Sequence, residues 1–130
     1  MKTVFQLVLV VFNIVPLLTG VAVAVNGAEF FVSPEVIDTN FDAQIRVYAI
    51  WFTAVFFLSL WMAFNIEQCG PVLRIVFTLV ALAGLSRFYT MYVSGEFPPR
   101  QTVAATIEVA TLLFIPWHNY VRSKLKTAAP

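Results

Sequence analysis

Four apolar runs dominate the chain, at about residues 4 to 25, 43 to 66, 72 to 93 and 101 to 121. Each is close to the ~20 residues a helix needs to cross ~30 Å of hydrocarbon. Helices are predicted over strands because the runs lack the period-2 alternation of barrel strands. A spanning helix also pairs every backbone N–H and C=O within its own segment. The connections agree with these limits. Residues 26 to 42 hold Asn26, Gly27, Glu29, Ser33, Pro34, Glu35, Asp38, Asn40 and Asp42, too polar for hydrocarbon. Cys69-Gly70-Pro71 reads as a tight turn, and in Ser94-Gly95-Glu96-Phe97-Pro98-Pro99-Arg100 the two prolines forbid helix continuation. The expected fold is therefore all-α, a single four-span membrane domain with spans two to four joined by two tight hairpins.

The first run has an alternative. Lys2, the apolar stretch and Ala22-Val23-Ala24 resemble a cleavable signal peptide. The run is longer than the ~7–15 residues of a signal core, so it is read as a retained first span.

Composition points the same way. Of 130 residues, 60% are apolar or aromatic and only 12% charged, against about 25% charged in a soluble domain. A net charge of +1 argues against nucleic acid as a partner, and a single cysteine, Cys69, leaves no internal disulfide. The few charges set the orientation. With four spans, Lys2, Arg74, Arg122, Lys124 and Lys126 share a side, while Glu29, Glu35, Asp38, Asp42, Glu96 and Arg100 lie opposite. The positive-inside rule then puts both termini in the cytoplasm of a bacterium, with the protein multi-pass in the inner membrane. Trp61, Trp117 and Tyr120 at the inner ends, with Tyr89 and Tyr92 at the outer end, fit interfacial belts or ordinary helix packing.

Helical spacing gathers small and polar residues on one face of each span. Gln6, Asn13, Pro16, Gly20 and Ala24 mark the first, and Asp42, Arg46, Ala49 and Thr53 the second. Ala83, Gly84, Arg87, Thr90 and Ser94 mark the third, and Gln101, Ala104, Ala105, Glu108 and Thr111 the fourth. Small residues let membrane helices approach, and polar ones seek partners away from lipid, so these faces are expected to meet. Arg87 and Glu108 flank the Ser94–Arg100 turn almost symmetrically and should pair across it, on the order of 10 Å below the outer interface at 1.5 Å per residue. Asp42 and Arg46 stand at i, i+4. Arg46, Arg87 and Glu108 are expected to cluster toward the outer leaflet, either as a structural ion pair with Arg46 reaching the interface, or as a site with one positive charge to spare for an anionic ligand or partner subunit. Proton transfer through Glu108 is a further possibility. Pro16 should kink span one, with Asn13 bonding a neighbouring helix, and Pro116 should bend or end span four. The lone His118 has no second ligand near it in sequence.

No phosphate loop, metal-ligand spacing or Ser/His/Asp set is present, and no internal repeat, so no metal or other cofactor is expected.

The outer-half motifs resemble the bacterial domain-of-unknown-function family numbered 4345, small four-helix inner-membrane proteins. The resemblance rests on Asp42-Ala43-Gln44-Ile45-Arg46, Gly84-Leu85-Ser86-Arg87, Gly95 with Pro98, and Glu108, about half a dozen positions over nearly the whole chain. The chain departs from the family pattern in its Phe97-Pro98-Pro99-Arg100 segment and its long first loop. The resemblance implies the topology and the Arg46, Arg87, Glu108 set, and no reaction.

Two functions are expected to compete. One is a non-enzymatic protein that binds a membrane lipid or other amphiphile, or serves as accessory subunit of a larger complex or homo-oligomer. The other is a small isomerase-like membrane enzyme with Glu108 as general acid/base, for which the neighbouring arginines, permanently protonated, make poor proton partners. A small transporter is a third reading.

Overall fold

A computed structural model describes residues 1–128 of the protein; the side chains of Lys126 and Ala128 lie outside the described part, and with them the Lys126 contribution to the basic tail. Among the described residues the regular structure is entirely helical. Helix α1 covers Lys2–Asn26, α2 Thr39–Phe64, α3 Gly70–Ser94, α4 Pro99–Ala110 and α5 Phe114–Ala128, with short 3-10 turns at Gly27–Phe30, Pro34–Val36 and Thr111–Leu113. Among the described residues three helices, α1 to α3, are long and apolar enough to cross a membrane. Large apolar side chains face outward along them, such as Ile50 and Trp51, each 67% exposed. In water such surfaces would drive association; in a bilayer they are the lipid-facing coat. This is a small membrane protein.

The chain forms two compact units, Lys2–Phe64 and the part from Asn65 on. In the first, α1 and α2 run antiparallel. Gly20 makes the close approach possible: a Cβ there would stand 2.6 Å from Thr53 Oγ1 and 2.9 Å from the Ala49 carbonyl oxygen. Toward the other end of the hairpin, Gln6 Nε2 donates to the Ala63 carbonyl at 2.7 Å. Pro16 lies inside a continuous α1. Asn13 is buried, and its Nδ2 donates to the Leu9 carbonyl of its own helix at 2.8 Å, not to a neighbouring helix as expected. The short Asn side chain reaches the carbonyl one turn back more readily than a partner across the interface.

In the second unit α3 packs against α4 and α5. Gly84 fits against α4, where a Cβ would meet the Ala105 carbonyl oxygen at 2.8 Å and Glu108 Cβ at 2.9 Å. Gly95, at φ +71°, ends α3 in the left-handed conformation that glycine adopts without a Cβ penalty. Phe77 of α3 stacks on Phe114 at 4.8 Å, and Phe114 on Trp117 at 6.0 Å. The fourth apolar run differs from a plain span. Its helix tightens to 3-10 at Thr111–Leu113 and then resumes, so the irregularity precedes Pro116 and α5 continues past it. Pro116 lacks the N–H that would bond Leu112 and crowds that carbonyl, which puts the disturbance one turn upstream. Thr111 Oγ1 fills part of the gap, donating to the Glu108 carbonyl at 2.6 Å, with the Phe77 carbonyl at 3.4 Å.

Candidate functional site

In the first unit the expected Asp42–Arg46 pair forms, as part of a clasp on the end of α1. Arg46 Nε donates to Asp42 Oδ2 at 2.8 Å. Arg46 Nη1 donates to the Ala24 carbonyl at 2.6 Å and faces that of Val25 at 3.3 Å. Asp42 Oδ1 accepts from the Ala28 amide at 2.7 Å. The last carbonyls of a helix have no partner within it, and a cation there also answers the negative end of the helix dipole. Gly27 belongs to the same clasp: its φ of +60° and the nearness of the Asp42 carboxylate leave no room for a side chain. The charge of Arg46 is met by Asp42 and by the carbonyl end of α1.

Beside this clasp lies an apolar hollow. Ala24, Ala49, Ile50, Thr53, Ala54 and Phe57 line a shallow, largely open depression of about 290 Å³, the kind of surface against which part of an acyl chain can lie. Ala24 belongs to both features: its carbonyl takes the Arg46 bond and its side lines the hollow.

In the second unit Arg87 and Glu108 pair across the α3–α4 hairpin as expected. Arg87 Nε lies 2.9 Å from Oε2 and 3.2 Å from Oε1 of Glu108, and Nη1 donates to Gln101 Oε1 at 2.8 Å. The pair is only partly covered, with the Arg87 side chain 37% and that of Glu108 19% exposed. Of the expected small and polar face, Gly84 and Ala105 are buried in the contact, whereas Ala83 and Thr90 face outward. The structure thus joins Asp42 with Arg46 and, in the other unit, Arg87 with Glu108 and Gln101; Asn13 is engaged with its own helix.

Sequence reasoning missed one contact in the second unit. His118 and Cys69 are buried, with Cys69 Sγ 3.6 Å from His118 Nε2, which donates to the Ile66 carbonyl at 2.7 Å. A carbonyl oxygen can only accept, so Nε2 carries the proton. Gly70 leaves space for the imidazole, its missing Cβ lying 3.3 Å from His118 Cε1. Burial pushes the Cys69 thiol above its ordinary range, with a smaller opposing pull from Arg122. The signal was available: the Cys69 turn and His118 both sit at the ends of runs that the basic residues assign to one side. Among the described residues no group of three or more His, Cys, Asp or Glu gathers to hold a metal ion.

Apolar helices that carry two partly exposed ion pairs define a small helical membrane protein. The chain belongs to the family described as a domain of unknown function, DUF4345, whose model matches residues 4–118. Neither curated proteins nor solved structures give a match.

Proposed function

We propose that the protein is a multi-pass protein of the bacterial inner membrane, spanning four times with both ends in the cytoplasm, and that it binds an amphiphile without transforming it. The observation that carries this reading is the sharing of Ala24 between the Arg46–Asp42 clasp and the apolar hollow. A polar headgroup would lie against the guanidinium edge and the carboxylate, and its chain against Ala49, Ile50, Ala54 and Phe57. Because Arg46 is neutralised by Asp42, the fitting headgroup is a polar or zwitterionic one, with no surplus charge left to demand an anion. Catalysis by Glu108 is disfavoured, because both of its side-chain oxygens are engaged by Arg87 Nε.

The partial exposure of Arg87 supports a second reading, an accessory role. A charge pair touching acyl chains is costly, and a polar side chain from a partner helix would relieve that cost.

Lipid extraction and mass spectrometry of the purified protein test both. An amphiphile is expected to copurify, and to be lost from Ala54→Phe, which fills the hollow from its exposed edge, and from Arg46→Gln. An unchanged lipid profile in both variants would end the binding reading. A stoichiometric larger subunit released by Arg87→Gln would favour the accessory role.

A further inference from the structure

Arg87 is paired with Glu108, whereas Arg74, Arg122 and Lys124 have no carboxylate partner among the described residues. These three lie at the same end of the unit, where the N-terminal part of α3 crosses α5. Arg74 Nη2 faces Asn119 Oδ1 at 3.4 Å, and Arg122 Nη1 stands 3.7 Å from the site a Cβ on Gly70 would take. Lys124 Nζ lies over the Tyr120 ring at 5.7 Å. The acidic side chain on the adjoining turn is Glu67, exposed and in neither ion pair.

Helix α5 explains why the charges collect here. Phe114, His118 and Val121 are buried at helical spacing, which turns Tyr120, Ser123 and Lys124 outward and sets Arg122 at the margin. The fourth apolar run ends at about residue 121, so Arg122 follows it at the membrane–water boundary, where basic side chains flanking a span meet the headgroups. Unpaired cations at that depth face phosphate oxygens, whereas the same side chains deeper would face acyl chains.

We infer that Arg74 and Arg122, on the adjoining sides of α3 and α5, form a binding surface for the phosphate of anionic phospholipid headgroups. The two arginines present planar donors from two helices, suited to a phosphate diester, whereas Lys124 lies with Tyr120 on the other side of α5. This surface is independent of the amphiphile hollow and shares no residue with it.

Full-length protein in nanodiscs of mixed phosphatidylcholine and phosphatidylglycerol provides the test, with retained lipids counted by native mass spectrometry. Phosphatidylglycerol is expected to be enriched over phosphatidylcholine, and each of R74Q and R122Q to lower that enrichment by up to about five-fold. R100Q, which removes a charge from the opposite end of the same unit, and K124Q, on the other side of α5, should change it less. R74Q guards against misfolding, since Arg74 is exposed. Enrichment equal to the parent in both R74Q and R122Q overturns the inference, as does an equal loss in R100Q or K124Q, which would signify net charge alone. Release of an acidic protein subunit by R122Q with lipid retention intact would overturn it as well.

Discussion

Gly84 and Glu108 face each other so closely that a methyl group on the glycine would come within 2.9 Å of the glutamate Cβ. The Arg87–Glu108 bond depends on that approach, because Arg87 lies one turn along α3 and reaches α4 only while the helices stay in contact. The Ala105 carbonyl oxygen, 2.8 Å from the same point, is backbone and cannot swing aside. Gly84→Ala should therefore cost ~1–3 kcal/mol despite the better helix propensity of alanine. A thermal melt in detergent measures this, and an unchanged midpoint would mean that the helices are farther apart.

A double-mutant cycle on Arg87 and Glu108 separates their interaction from the cost of each lone charge. Arg87→Gln and Glu108→Gln should each destabilise more than the double variant's loss would imply by addition, with a coupling of ~0.5–3 kcal/mol. Strict additivity would show that the two groups do not interact.

Gly27→Ala combines a left-handed backbone with the nearby Asp42 carboxylate. It should lose at least ~1–2 kcal/mol, from the left-handed conformation alone. Asp42→Ala made together with it should recover part of the further loss, since the obstructing carboxylate is then absent. No recovery would mean that the backbone conformation alone sets the effect.

The Cys69 thiol gives a pH dependence. Burial favours the neutral thiol, so its folded pKa lies above that of the unfolded chain. The associated stability is fully present below the unfolded thiol value, ~8.5, and is lost as pH rises through the folded one. Melting temperatures of the parent should fall faster than those of Cys69→Ala between neutral and strongly alkaline pH. Native protein at neutral pH should resist maleimide and react once unfolded. Prompt labelling of native protein would show the thiol to be exposed.

Because native Cys69 is shielded, introduced cysteines report topology. With an impermeant maleimide on whole cells, Ser33→Cys should label and Ser123→Cys should not. The reverse pattern would invert the orientation.

Much of this architecture was legible in the residues. Runs of apolar side chains punctuated by Gly70-Pro71 and Pro98-Pro99 gave the helices nearly at their observed ends, because proline and glycine act on the backbone locally. The Arg87–Glu108 pair was legible too. A short turn fixes the register of the helices it joins, so counting outward from it predicts which side chains meet. The tightening at Thr111–Leu113 was displaced from its cause, since Pro116 disturbs the carbonyl four residues earlier.

Sequence by itself determined the solvent of this protein, its helical content and the contacts across its tightest hairpin, all consequences of local backbone chemistry and of charge being costly in lipid. Tertiary structure alone decided that Arg46 caps the last carbonyls of α1, with an apolar hollow alongside, and that His118 meets Cys69 and Ile66. Those contacts join positions far apart in the chain, such as Arg46 with Ala24 across the polar first loop. A loop of that length permits many registers, and only packing selects one.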